Sequence, residues 1–133
     1  MQYSKNHKCI FVHIPKAAGT SIERSSIFDD VRKETKYTAS GHSTIKDFKK
    51  NIGEAFDSCL KFTFVRNPYS RLYSAYRFLQ KGTLNPDDTK IFNTFPKDVR
   101  NDFNEFVGFL NFKIINSIVH IRPQYSFVTD NEK

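Results

Sequence analysis

Twice in this chain a short β-branched and aromatic run gives way to helix-forming sequence. That repeated switch limits the possible folds more than any other feature. Cys9-Ile10-Phe11-Val12-His13-Ile14 has the composition of a buried strand and is closed by Pro15. Pro15-Lys16-Ala17-Ala18-Gly19-Thr20-Ser21 follows, and Gly19-Thr20-Ser21 opens a helix expected to run through Phe28 with Ile22 on its apolar side. Residues 60–65 form the second apolar run. After it, Asn67-Pro68 reads as an N-cap and a first-turn proline, so a helix is predicted over residues 68–80. Such alternation argues for an α/β fold with a largely parallel sheet. Two visible strands bury little surface, which favours a chain that forms part of a larger domain.

The remaining sequence is read as follows. Residues 29–43 are polar and mixed, an irregular excursion. Thr44-Ile45-Lys46-Asp47 fits a capping box, and Ile45, Phe48, Ile52 and Phe56 continue from it at helical spacing. Residues 82–96 are turn-rich, punctuated by Asn85-Pro86-Asp87-Asp88. Phe103, Phe106, Val107 and Leu110 place one helix over residues 99–110. An apolar tail over residues 114–128 is interrupted by Arg122-Pro123. With 133 residues the expectation is a single domain, residues 1–133, incomplete at its C-terminal end because no closing element precedes Asn131-Glu132-Lys133.

The core has ample material in 14 Phe and 6 Tyr. Twenty-one Lys and Arg against 14 Asp and Glu give a formal charge of +7, which points to an anionic partner without choosing among nucleotide, nucleic acid, polysaccharide and membrane surface. Two cysteines, Cys9 and Cys59, are too few for a disulfide framework. His7, His13, His42 and His120 lack metal-site spacing, so no metal is expected. The first apolar run is too short for a signal sequence or a membrane span, which suggests a soluble protein of a reducing compartment.

Both switches have the makings of an anion grip. A helix start leaves N–H groups unpaired and carries partial positive charge. At the first, Ala17, Ala18 and Gly19 allow close backbone approach, Lys16 adds a charge, and Thr20 and Ser21 add donors. Lys16 precedes the glycine, so the segment is not a Walker A loop, where lysine follows the second glycine. At the second, Arg66 ends a strand and Ser74 lies eight residues on, in the following helix. The pair converges if the chain folds back at Asn67-Pro68. Arginine suits forked phosphate binding and serine adds one hydrogen bond. Arg71 is expected to face solvent or an acidic neighbour; Tyr69, Leu72, Tyr73, Tyr76, Leu79 and His13 are expected in the core.

In this order the two segments resemble the cofactor motifs of sulfotransferases that use 3′-phosphoadenosine 5′-phosphosulfate (PAPS). His13-Ile14-Pro15-Lys16-Ala17-Ala18-Gly19-Thr20-Ser21 is similar to the branch holding the carbohydrate and heparan sulfate 2-O-sulfotransferases and their bacterial relatives. His120-Ile121-Arg122-Pro123-Gln124 resembles a third segment of that branch, with Ile121 in place of the usual aromatic. The resemblance implies a P-loop-like, three-layer α/β fold with a central, mostly parallel sheet flanked by helices. It implies that Lys16, Ala17, Ala18, Gly19, Thr20 and Ser21 hold the 5′-phosphosulfate and that Arg66 and Ser74 hold the 3′-phosphate. Arg122 and Gln124 would lie near the cofactor or acceptor.

Sulfuryl transfer must align a hydroxyl, stabilise charge on the transferring group and ease departure of the leaving phosphate. Lys16 is the candidate for the last role. His42, in Ser40-Gly41-His42-Ser43-Thr44, is the candidate general base, because a ring just ahead of a helix start stays neutral. The same Gly-His position resembles that of the catalytic base in the 2-O-sulfotransferases. The expected partner is a hydroxyl-bearing acceptor, with an acidic glycan favoured by charge; nucleic acid and membrane are not expected, and oligomeric state is open. A kinase would need a Walker A loop and magnesium carboxylates, and neither is found. The alternative is a non-catalytic or truncated nucleotide- or anion-binding module. The expected location is cytoplasmic for a bacterial or phage protein, and the Golgi lumen for an excised eukaryotic domain.

Overall fold

The computed structural model describes residues 1–33, 42–82 and 86–130. They belong to two compact units, Met1–Val65 with Gln124–Lys133, and Arg66–Pro123.

The first unit is built on a three-stranded sheet in the order β1 (Gln2–Ser4), β2 (Cys9–Phe11), β3 (Leu60–Phe62). β2 is its middle strand, and all three of its residues are buried. It pairs in parallel with β3, Cys9 opposite Leu60 and Phe11 opposite Phe62. The Val12 N–H donates to the Phe62 carbonyl at 3.0 Å, one step beyond the strand. The expected residues 9–14 and 60–65 are therefore strand only at their N-terminal halves. Pro15 has no N–H for a ladder, and chain 63–67 turns toward the next helix instead.

β1 corrects the expectation of a mostly parallel sheet: it runs antiparallel to β2, Gln2 opposite Phe11 and Ser4 opposite Cys9. The hairpin turns through Lys8, whose φ is 47°, and is tied down by Asp30. That carboxylate accepts from the Ser4 hydroxyl at 3.0 Å and the Asn6 N–H at 3.1 Å. Burial pushes the Asp30 carboxyl up, but these hydrogen bonds and those from the Val31 and Lys5 N–H groups outweigh it and hold it below its ordinary value.

The predicted helix through Phe28 is shorter and broken: α1 (Gly19–Glu23), a 3-10 turn over Ser26–Phe28, then α2 (Asp29–Lys33). Phe28 is buried against Phe11, their ring centroids 6.2 Å apart, and Phe11 meets Phe62 at 5.3 Å. The next helix, α3 (Ile45–Ile52), begins at Thr44 with both halves of the expected capping box formed. The chain then breaks at Gly53, φ 63°, and Phe56 falls in α4 (Ala55–Ser58).

The second unit is helical. α5 (Pro68–Gln80) starts as predicted: the Asn67 side chain accepts from the Tyr69 and Ser70 N–H groups, and Pro68 occupies the first turn. The turn-rich stretch contains α6 (Pro86–Asn93), while Asn85 lies outside the described residues. The single helix expected over residues 99–110 is two, α7 (Lys97–Asn101) and α8 (Phe103–Phe109). Asp102 adopts an extended backbone between them and its carboxylate accepts from the Asn104 N–H at 2.7 Å and the Glu105 N–H at 3.1 Å. The competing cap breaks the helix. α9 (Phe112–Ser117) follows, and α10 (Tyr125–Val128) returns to the first unit's residues.

Tyr76 centres the second unit's core, at 4.9 Å from Phe106 and 5.3 Å from Phe103 by ring centroid. Its hydroxyl donates to the Arg100 carbonyl at 3.1 Å and accepts from the Gln80 side-chain amide at 2.9 Å, so the buried polar end is satisfied. Of the other residues expected in the core, Leu79 is buried and Leu72 packs against the cluster. Tyr69 is 82% exposed and Tyr73 is half exposed. Both corrections follow from the helical register, since the stripe through Arg71, Ala75 and Leu79 faces inward. Among the described residues, no helix is long and apolar enough to cross a membrane.

Candidate functional site

In the first unit, Pro15, Lys16, Ala17 and Ala18 form a tight turn between β2 and α1. Lys16 and Ala18 both hold left-handed backbone, φ 64° and 63°, at a cost of roughly 1–2 kcal/mol per residue for a side chain with a Cβ. The Ala17 N–H returns to the Ile14 carbonyl at 3.3 Å and the Ser21 N–H to the Ala18 carbonyl at 3.2 Å. The result is a closed turn that presents the first N–H groups of α1 at its end. Ala17 and Gly19 are buried, Lys16 is partly exposed, and Ala18, Thr20 and Ser21 are exposed.

Gly19 is required by its neighbour. A Cβ there would lie 2.0 Å from His13 Cδ2 and 2.2 Å from His13 Nε2. The imidazole of His13 thus occupies the space a side chain would need. The ring is buried as expected, stacked on Phe11 at 5.9 Å. Its Nδ1 lies 2.7 Å from Glu23 Oε1. A carboxylate only accepts, so Nδ1 carries the proton. Glu23 is one turn beyond Gly19 in α1 and shares its face, which explains how it reaches the same ring. Burial raises the Glu23 carboxyl, but the hydrogen bond and charge of His13, a hydrogen bond from Gln2 and the charge of His42 hold it below its ordinary value.

His42 also meets His13. Their rings contact edge to face, with centroids 4.7 Å apart and an interplanar angle of 71°. His42 Nδ1 donates to the His13 backbone carbonyl at 3.3 Å. That acceptor commits the proton of a neutral His42 to Nδ1 and makes Nε2 the basic nitrogen. Gly19 and His42 are therefore gathered around one imidazole, while Ser40 and Gly41 lie outside the described residues.

In the second unit, Arg66 Nε donates to the Ser70 hydroxyl at 3.1 Å, and that hydroxyl donates to the Asn67 carbonyl at 3.2 Å. The chain folds back at Asn67-Pro68 as expected. Ser70 and Ser74 are successive residues of one helical face, so Arg66, Ser70 and Ser74 form a row along the start of α5. Sequence reasoning missed Ser70; its signal was the interval of four residues from Arg66.

Arg71 does not face solvent, one of the two settings expected for it. It is 5% exposed, its Nη2 donates to the His120 carbonyl at 3.3 Å, and burial lowers its pKa to about 10, still charged at neutral pH. Next to it, Asp88 accepts from the Val119 N–H at 3.1 Å, the His120 N–H at 3.2 Å and His120 Nδ1. These contacts fold the His120-Ile121-Arg122-Pro123-Gln124 segment locally. Arg122 is partly exposed and its Nη2 donates to the Asn116 carbonyl at 3.2 Å. No group of three or more His, Cys, Asp or Glu able to hold a metal occurs among the described residues.

The sequence matches the model of the sulfotransferase family over residues 1–133, the whole chain. The protein belongs to the sulfotransferase family. No curated protein and no solved structure matches it. The expected membership of a sulfotransferase family therefore holds, and the fold is mixed α/β with a small sheet flanked by helices.

Proposed function

We propose that the protein transfers a sulfuryl group from PAPS to a hydroxyl of a carbohydrate acceptor, an acidic glycan being the class its charge of +7 suits. The observation that carries this is the convergence of Gly19 and His42 on the His13 ring, directly beside the left-handed turn that carries Lys16, in a chain of this family. The connections from β2 to α1 and from β3 to α5 are taken as those of a P-loop-like, three-layer fold.

The residues suit the donor. The turn at 15–18 carries small side chains and a lysine and runs directly into the first N–H groups of α1, the combination that suits a phosphate group. Lys16, Ala17, Ala18, Gly19, Thr20 and Ser21 are assigned the 5′-phosphosulfate end. Arg66 and Ser74 are assigned the 3′-phosphate, and Arg122 a supporting contact. PAPS supplies a sulfuryl group already activated on a phosphate leaving group. Lys16 stabilises negative charge as that phosphate departs. His42 Nε2 takes the proton of the acceptor hydroxyl, while its Nδ1–H stays on the His13 carbonyl and keeps the ring oriented.

Calorimetry with 3′,5′-adenosine bisphosphate, ATP and AMP tests the donor assignment. The bisphosphate should bind most tightly, and Ser74→Ala should weaken it several-fold without changing AMP binding. Equal affinity for AMP would remove the 3′-phosphate assignment. In turnover with a glycan acceptor, His42→Ala should abolish transfer while bisphosphate binding persists. Tight bisphosphate binding with no transfer to any hydroxyl acceptor would leave a nucleotide-binding module instead.

A further inference from the structure

We propose that Glu23 is a positioning residue that acts through His13 on both His42 and the turn at 15–18. The assignment rests on the reading of His42 as the base, but the coupling itself is independent of any ligand. Three contacts of one imidazole define it. Nδ1–H of His13 is held by Glu23 at 2.7 Å. The Cδ2 and Nε2 side of the ring fills the space above Gly19. The ring packs at 71° against His42, whose Nδ1–H is held by the backbone carbonyl of the same His13.

Each contact constrains the next. With Nδ1 protonated for Glu23, the His13 ring has one orientation, and its far edge lies against Gly19. A flip of the ring would exchange Nδ1 with Cδ2 and leave a carbon facing the carboxylate, losing the hydrogen bond. The backbone around His13 and Gly19 is thus fixed from one side chain, and the left-handed Lys16 and Ala18 are fixed with it. Such propping is what persistent backbone strain requires.

The charge of Glu23 acts on His42 as well. When His42 Nε2 receives a proton, the ring becomes an imidazolium whose Nδ1–H remains on the His13 carbonyl. The Glu23 carboxylate, held on the same His13, favours that cation; no proton moves to Glu23, which stays ionised throughout. The electrostatic link is visible from the other end, because the charge of His42 helps hold the Glu23 carboxyl below its ordinary value. Among the described residues, the groups that act on Glu23 include His13, His42, Gln2 and the Met1 amino group, whose own pKa burial lowers and Glu23 raises. Removing the carboxylate should therefore make His42 less basic.

Two variants separate charge from orientation. Glu23→Gln keeps an oxygen that accepts His13 Nδ1–H and removes the charge. Glu23→Ala removes both. Ring resonances of the four histidines, followed by NMR against pH in the protein without ligand, give the readout. In Glu23→Gln the His42 midpoint should fall by about half a pH unit while His7 and His120 hold still. In Glu23→Ala the Gly19 amide resonance should shift as well, and bisphosphate affinity should fall about tenfold. A His42 midpoint unchanged in Glu23→Gln would overturn the proposal. A protein with the expected NMR shifts but no bisphosphate binding would retain the coupling and sink the donor assignment instead.

Discussion

The turn at residues 15–18 and the row Arg66, Ser70, Ser74 are the two candidate phosphate grips, and they are held by opposite means. The first is a matter of backbone. Two non-glycine residues sit in left-handed conformation, a glycine is pinned under a buried ring, and that ring is held by a carboxylate. The second is a matter of side chains. A regular helix begins at a capped Asn-Pro and displays an exposed arginine and hydroxyls at intervals of one turn. The difference means that stability and ligand affinity should separate in the second unit and stay joined in the first. Substitutions in the first should change folding and binding together, whether in the same or in opposite directions.

The largest effect expected serves as the control on that contrast. In the second unit stability resides in the buried polar cluster behind the exposed row. Asp88, 2% exposed, accepts from two backbone N–H groups and the His120 ring. Asp88→Ala strands those donors in the interior and should cost about 3–5 kcal/mol in urea unfolding. A loss below about 1 kcal/mol would show that water satisfies the donors and that the cluster is not a structural anchor.

Gly19→Ala comes next. At an ordinary helical position alanine is favoured over glycine by roughly 0.5–1 kcal/mol. Here the added Cβ would fall 2.0–2.5 Å from three atoms of the His13 ring. Overpacking of that kind should reverse the sign and cost about 2–3 kcal/mol, with His13 displaced from Glu23. A stabilised Gly19→Ala protein would dissolve the distinction between the two grips.

Arg66→Ala sharpens the contrast from the other side. The guanidinium is exposed and donates to the surface hydroxyl of Ser70; an exposed contact of that kind contributes little to stability, so unfolding should shift by less than about 0.5 kcal/mol. Bisphosphate affinity, in contrast, should drop by about 10- to 100-fold, the contribution of a charge-assisted pair. Parallel losses in stability and affinity would place Arg66 in the structural network.

Much of this architecture was legible in the sequence, because its signals were local. Thr44 with Asp47 and Asn67 with Pro68 announced helix starts to the residue, since a cap depends on a few adjacent groups. What escaped depended on distant partners. β1 is a polar tripeptide, Gln-Tyr-Ser, that becomes a strand by pairing with β2. Of the two settings expected for Arg71, solvent or an acidic neighbour, solvent fails, because its spacing with Ala75 and Leu79 places it on the buried stripe. Asp102 was passed over as an interior helix residue when its side chain was a better cap than its backbone was a link. At the candidate site, the roles of Lys16, Arg66 and His42 were drawn from motif resemblance. Glu23 carried no motif and became visible only when α1 brought it beneath His13.

The smallest effect tests whether strain in the first grip is retained for a purpose. Ala18 caps α1 at φ 63° and ψ 20°, conformations open to glycine without penalty. Ala18→Gly relieves about 1 kcal/mol of native strain and gives back part of it through a more flexible unfolded chain. The net expectation is a gain of about 0.5 kcal/mol in stability. A turn that is merely tolerated should then bind the bisphosphate as before. A turn pre-shaped for phosphate should bind it a few-fold more weakly, because glycine makes the free turn less ordered and ordering must then accompany binding. Greater stability with weaker binding is the expected pair of results, read by thermal unfolding and calorimetry on the same protein. Unchanged affinity would mean that Lys16 and the α1 N–H groups hold the phosphate without help from the left-handed backbone at Ala18.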